Sequence, residues 1–201
     1  MTTTSPRLVE LDVSVPVWER FFTVAPLVLI GTREPDGSFD LAPKHMVLPL
    51  GWQNYFGFVC TPRHATYFNA WRENAFTVSY PRPDQLVETS LAASLRCEGG
   101  QKPAIATLAT VPARKVAGVL VEGATLQFEC ELERIVDGFG VNSLVVGRIV
   151  AAYADPAVLR EADRAPEDVL AAAPLLAYVH PGRFATIAAA HSFPFPEDMR
   201  K

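Results

Sequence analysis

Residues 125–132 read TLQFECEL and put Leu126, Phe128, Cys130 and Leu132 at every second position. A period of two is the repeat of a β-strand, whose successive side chains point to opposite faces, so the segment predicts a strand with one buried side. Further strand-like runs occur at Pro26–Arg33, Phe39–Leu50, Tyr55–Cys60, Ala75–Ser79, Val119–Val121 and Asn142–Tyr153. Six or seven short strands with two or three interposed helices predict an antiparallel barrel with helical insertions. A doubly wound parallel sheet would need longer crossover helices in regular alternation.

The punctuation between the runs supports this organisation. Glu34–Ser38 reads EPDGS, in which Pro35 fixes its own φ and Gly37 accepts a positive one, so a hairpin joins the first two strands. Pro43 has no N–H for a sheet ladder, which predicts an irregular or open edge near residues 42–44. Residues 84–93 space Leu86, Val87 and Leu91 as a short amphipathic helix would, with Asp84 as its cap. Residues 96–103 read as loop, residues 155–173 as rich in helix, and residues 175–179 as a last apolar run before the tail.

Composition narrows the class. With 201 residues, 49% of them hydrophobic and 20% charged, the chain suits one well-buried domain. Its 18 basic and 22 acidic residues give a net charge of -4 with no basic stripe, which argues against a nucleic-acid binder. Cys60, Cys97 and Cys130 are odd in number and form no CxxC pair, so they read as reduced thiols, mostly in the core. The start MTTTSPRLVELDVSV lacks the pattern of a secretory leader, and no run reaches the roughly 20 apolar residues of a membrane span. A cytoplasmic protein without a membrane partner is expected. His64, His180 and His191 show no metal-binding spacing, no GxGxxG is present, and Ser90, Ser94 and Ser143 lack the context of a catalytic nucleophile.

One segment carries unusual polar density: TPRHATYFNAW, residues 61–71. Thr61 or Thr66 can cap a helix through Tyr67–Trp71, with Pro62 tolerated in a first turn. Either register sets free backbone N–H groups beside Arg63 and a threonine hydroxyl, an arrangement that attracts a phosphate. The competing reading is structural: Thr66 caps its own helix, Arg63 is a solvated surface charge, and Asn69 satisfies loop carbonyls.

Several short motifs then occur in a familiar order. Gly37-Ser-Phe-Asp-Leu-Ala-Pro-Lys-His45 is similar to a G-x-x-N-x-A-P-x-S strand, Thr66-Tyr-Phe-Asn69 to a T-x-x-N helix start, and Asn74-Ala-Phe-Thr-Val-Ser79 to an E-F-V-V-N strand. Asn142-Ser-Leu-Val-Val-Gly147 is similar to an H-x-x-V-x-G strand, and Leu175–Phe184 to a closing segment. In these the chain resembles the flavin reductase-like proteins of the FMN-binding split-barrel superfamily.

The resemblance implies a mainly β fold with helical insertions, a six-stranded antiparallel Greek-key split barrel, over residues 20–187. Residues 1–19 would be an N-terminal arm, and residues 188–201 a tail available to a dimer. It further implies a homodimer holding FMN near its seam, with Thr61, Pro62, Arg63, Thr66 and Asn69 around the phosphate. Pro43, Lys44, His45, Met46 and Val47 would lie along the isoalloxazine ring. The activity implied is hydride transfer from NADH or NADPH to flavin, with electrons leaving to a further acceptor such as a partner monooxygenase. The chain departs from the family at His45, where Ser is usual, and at Asn142, where His is usual. Alternation puts Lys44 and His45 on opposite faces, so one of them can face the flavin while the other serves structure. Asn142 and Trp52 are the candidates for substrate contact. A flavin carrier or sensor without nicotinamide turnover, or a barrel for deazaflavin or haem, stands as the alternative.

Overall fold

The computed structural model describes residues 8–97, 102–161 and 163–196. The first seven residues of the arm, residues 98–101 of the expected loop and the last five of the tail lie outside them. The strands are β1 (Thr23–Pro26), β2 (Val28–Arg33), β3 (Phe39–Lys44), β4 (Val47–Pro49) and β5 (Tyr55–Cys60), followed by helix α1 (Ala65–Glu73) and β6 (Ala75–Tyr80). Helix α2 (Leu86–Leu91), β7 (Thr110–Pro112), β8 (Val119–Val121), β9 (Leu126–Phe139), β10 (Asn142–Ala154), α3 (Pro166–Ala172), β11 (Leu175–His180) and β12 (Arg183–Ile187) complete the chain.

The main sheet has the order β3-β2-β6-β9-β10-β5-β4, all antiparallel. Its two edge strands, β3 and β4, are separated in sequence only by His45 and Met46. A three-step link spans at most about 10 Å, so the sheet must curl until its edges meet. Counted as passes of the chain, the seven segments are six strands, and the fold is a six-stranded split barrel. The single strand expected over residues 39–50 is therefore two, broken just after Pro43 at the point where the chain leaves one edge and joins the other. Pro43 sits in an edge strand, where its missing N–H costs nothing.

Strand β2 is buried on both faces, which is why its sequence is continuously apolar. Val28 and Ile30 join one core cluster with Phe56, Phe58, Phe76, Cys130 and Val145, while Leu29 joins a second with Leu41, Ala92, Leu108 and Val121. Gly147 is required by this packing: a Cβ there would stand 2.5 Å from the Phe76 ring. Cys60 and Cys130 are buried and Cys97 is exposed.

The turn at Glu34–Ser38 forms as its residues predict, with Gly37 at φ +88° and the Glu34 N–H donating to the Ser38 carbonyl at 2.8 Å. Asn74 ends α1 in the left-handed region at φ +53°, a conformation that asparagine tolerates. Asp84 does not cap α2, which starts at Leu86 after the 3-10 turn Pro83–Gln85; the Asp84 carboxylate instead pairs with Arg82 at 2.9 Å. The stretch 155–173 holds only the 3-10 turn Pro156–Val158 and α3. Strand β9 continues seven residues past Leu132 as an exposed ribbon with β10, and the three-stranded sheet β1-β11-β12 forms beside the barrel.

A second polar feature fixes the loop between β7 and β8. Glu129, fully buried on β9, accepts the backbone N–H groups of Arg114 (2.9 Å), Lys115 (2.5 Å) and Val116 (3.0 Å) and the Tyr153 hydroxyl (2.8 Å). Burial alone would push the Glu129 carboxyl up, but these four donors outweigh it and hold its pKa below the ordinary value.

Candidate functional site

Strand β3 presents Asp40, Ala42 and Lys44 on one face, and that face forms the floor of a cleft of about 440 Å³. Its walls come from Arg63–Thr66 at the start of α1, from Ala92–Arg96 after α2, and from Lys102. Four basic side chains, Lys44, Arg63, Arg96 and Lys102, line this cleft with the carboxylate of Asp40; counting Glu34, which pairs with Arg96, two carboxylates oppose them and a local excess of two positive charges remains in a protein of net charge -4. Asp40 is nearly buried and pairs with Lys102 at 2.9 Å and Arg96 at 3.1 Å; Arg96 also pairs with Glu34 at 2.5 Å. Lys44 donates to the Cys60 thiol at 3.6 Å. Arg63 is exposed and makes no hydrogen bond or ion pair among the described residues.

The fields of these groups register on their neighbours. Burial lowers the pKa of His64 and the nearby ammonium groups of Lys44 and Lys102 lower it further, against the smaller opposing pull of Asp40. Burial pushes the Cys60 thiol up, and Lys44 partly offsets it.

The helix start differs from the sequence expectation in its register. The N-cap is His64, without a side-chain cap bond, so neither Thr61 nor Thr66 caps α1. Thr61–His64 is a tight turn closed by the His64 N–H donating to the Thr61 carbonyl at 3.1 Å, and Pro62 occupies that turn, not the helix. Pro62 fits there because its fixed φ suits the second position of a turn. Thr66 lies one residue into the helix, buried, and lines the cleft. The first N–H groups of α1, which have no intrahelical acceptors, open beside Arg63.

A second cleft, of about 350 Å³, adjoins the first through Arg63. Thr61, Pro62, Tyr67, Asp137 and Asn142 line it, and Asp137 is held by the Ser143 hydroxyl at 2.6 Å and that of Tyr67 at 3.2 Å. Asn142 therefore belongs to the region. Trp52 does not line either cleft; it stands in the loop before β5, while Asn142 lies beside the other end of that strand. Five strand steps, about 17 Å, separate the two ends.

The remaining candidates divide. Pro43 and Lys44 line the basic cleft. His45 points the opposite way and stacks on Tyr178 (centroids 4.2 Å apart) and His180 (5.5 Å), and its pKa is lowered by burial, then by His180 and Lys44. Met46 is exposed, its carbonyl accepting the Val59 N–H at 2.9 Å, and Val47 is buried in the core opposite Phe58. Asn69 is buried and its amide is used within the protein: Nδ2 donates to the Thr32 hydroxyl at 3.2 Å and Oδ1 accepts from Arg72 at 3.0 Å. It anchors α1 to β2 instead of facing the cleft, since no polar atom of its amide is left over.

Asp40, Arg96 and Lys102 were not read as site residues in the sequence, and Ser94 was weighed only as a nucleophile. Asp40 stands 54 to 62 residues before the other three, which fall in and beside a segment read as plain loop, and no local pattern relates them. Among the described residues, no group of three or more His, Cys, Asp or Glu side chains is placed to hold a metal, and no helix is long and apolar enough to cross a membrane.

A family model described as "Flavin reductase like domain" matches residues 21–187. Among solved structures, nitrilotriacetate monooxygenase component B from Bacillus cereus aligns with a TM-score of 0.78 at 15% identity, covering 95% of this chain and 100% of that one. Flavoredoxin from Methanosarcina acetivorans aligns at 0.76 and 16% identity over 96% and 98% of the two chains. An FMN-binding protein from Thermus thermophilus aligns at 0.74 and 20% identity over 94% and 99%. At these identities the structural likeness speaks to the fold, which is that of the split-barrel flavin proteins.

Proposed function

This chain belongs to the flavin reductase-like family, and from that membership we propose that it binds FMN with the phosphate in the basic cleft and oxidises NADH or NADPH. The observation that carries the reading is Arg63: a cation at the opening turn of α1 without an ion pair among the described residues, flanked by Lys44, Arg96 and Lys102, with Asp40 and Glu34 as the opposing carboxylates. A phosphate monoester brings about -1.5 to -2 charges near neutral pH, which matches the local surplus. When bound, FMN supplies a two-electron acceptor for hydride.

The protein's own contributions are binding and orientation. Arg63 and the free N–H groups of α1 take the phosphate, with Thr66 lining the same cleft. Lys44, on the strand that runs toward the barrel seam, places a cation where it favours added negative charge on the ring. Asn142 borders the adjoining cleft as a neutral polar contact for substrate. His45 supports the seam from behind through Tyr178 and His180. None of these side chains is asked to form a covalent bond.

The likeness to nitrilotriacetate monooxygenase component B supports reduced flavin passing to a partner monooxygenase. The likeness to flavoredoxin supports a second reading, an electron carrier that nicotinamides reduce slowly; the neutral Asn142 at the place where the family often has His favours it. A homodimer is part of the proposal. Exposed Trp18, Phe22, Trp52, Phe193 and Phe195 leave apolar surface at the arm, the β4–β5 loop and the tail for a second copy.

Titration of FMN with the purified protein, followed by quenching of flavin fluorescence, tests the cofactor. Saturable quenching that weakens with salt is expected, and unquenched flavin would overturn the proposal. Steady-state oxidation of NADH and NADPH with FMN present then separates reductase from carrier: turnover is expected for the former and its absence selects the latter.

A further inference from the structure

Where the three-stranded sheet meets the ends of β6, β9 and β10, the protein has a cleft of about 680 Å³, larger than either cleft beside α1. Its walls are aliphatic, with Leu126, Val158, Leu159, Leu175, Leu176 and Ile187 among them. Leu159 and Leu175 keep 43% and 45% of their surface exposed, so the apolar lining is open to solvent and not sealed by the fold. The volume falls in the range of about 300–1,000 Å³ that small-molecule sites occupy.

Two polar groups stand on this surface. Arg160 is the single charged side chain among the described residues that line the cleft, and it makes no hydrogen bond or ion pair among them. Tyr80 lines the inner wall; burial pushes its phenol up to about 12, so it remains a neutral O–H donor at ordinary pH, and its hydroxyl makes no hydrogen bond among the described residues. An aliphatic trough with one unmatched cation and one unmatched donor, and with no carboxylate of its own, is complementary to a tail that ends in an anion.

We propose that this cleft binds an apolar carboxylic acid, its hydrocarbon tail along Leu126, Leu175 and Leu176 and its carboxylate against Arg160. The site is separate from the flavin reading, since no residue lines both this cleft and either cleft beside α1. It is nonetheless close to the barrel seam in the chain. Leu176 shares a face of β11 with Tyr178 and His180, which carry the stack on His45.

The test is calorimetric titration of the full chain with decanoate and with decan-1-ol, in the wild type and in R160Q. Arg160 is exposed and unpartnered, so R160Q leaves the fold intact. Saturable binding of decanoate, one per chain, is expected, with decan-1-ol weaker by about tenfold. R160Q should lower decanoate affinity about tenfold, leaving decan-1-ol and FMN titrations unchanged. A lack of saturable decanoate binding overturns the proposal, as does a decanoate affinity indifferent to R160Q. So does loss of decanoate binding when light scattering shows dimers whose dissociation restores it, because the occupant would then be a second copy of the chain.

Discussion

Asp40 on β3 and Glu129 on β9 are both buried carboxylates of one sheet, and they are satisfied in different ways. Glu129 meets four donors, three of them backbone N–H groups of one loop, and the arrangement is closed: its carboxylate oxygens are satisfied within the protein. Asp40 meets two cations, Arg96 and Lys102, with Lys44 and Arg63 standing by in the same cleft. A carboxylate matched by neutral donors secures structure, whereas one outnumbered by cations leaves a field that an anion can use. The contrast separates a feature that stabilises the fold from one that is placed for a ligand, although both look alike as buried acids.

The largest expected effect falls on the closed arrangement. Replacing Glu129 by Gln turns an acceptor of charge-assisted bonds into an amide whose NH2 group faces other donors, and should cost about 3 kcal/mol in urea unfolding. FMN affinity should change little; a parallel collapse of both quantities would erase the distinction drawn here. The same carboxylate sets a pH dependence. Its folded pKa lies below the ordinary 4.5, so the stability it confers is present above that value and is lost as pH falls through the folded one. From about pH 5 to pH 3 the wild type should lose stability more steeply than E129Q.

A smaller effect, of opposite kind, is expected at Arg63. R63A should weaken FMN binding by about tenfold to a hundredfold, the value of one or two charge-assisted hydrogen bonds, with an unchanged unfolding midpoint. Unaltered affinity would remove the phosphate from this cleft. The smallest change sharpens the boundary between the two regions. N69A takes the donor from the buried Thr32 hydroxyl and an acceptor from Arg72, at about 1–2 kcal/mol of stability, while FMN affinity stays within about twofold. A larger loss of affinity than of stability would return Asn69 to the ligand.

Legibility in the sequence followed burial. Strands with a face in the core, such as β2, β5 and β6, were readable from apolar pattern, because burial imposes the pattern. The outer half of β9 was not: Glu133–Phe139 pairs with β10 as a ribbon without a core beneath most of it, so no periodicity marks it. Strands β1 and β12 were missed because they pair across the chain with β11, 150 residues from β1 in sequence and only a turn from β12, and their exposed faces are mixed. At the site, Arg63, Lys44 and Thr66 were visible within motifs. The register of α1 was not, since His64 stands at the N-cap with no side-chain bond to announce it.

What the sequence determined by itself is local: the turn at Glu34–Ser38, the alternation that separates Lys44 from His45, and the motif order that places the chain in its family. Each depends on φ preferences or on side-chain direction within a few residues. Only the tertiary structure brought Arg96 and Lys102 to Asp40, set Lys44 beside Cys60 and turned His45 onto Tyr178. These meetings depend on the curl that joins β3 to β4, and that curl is fixed by packing around the whole barrel, not by any single stretch of chain.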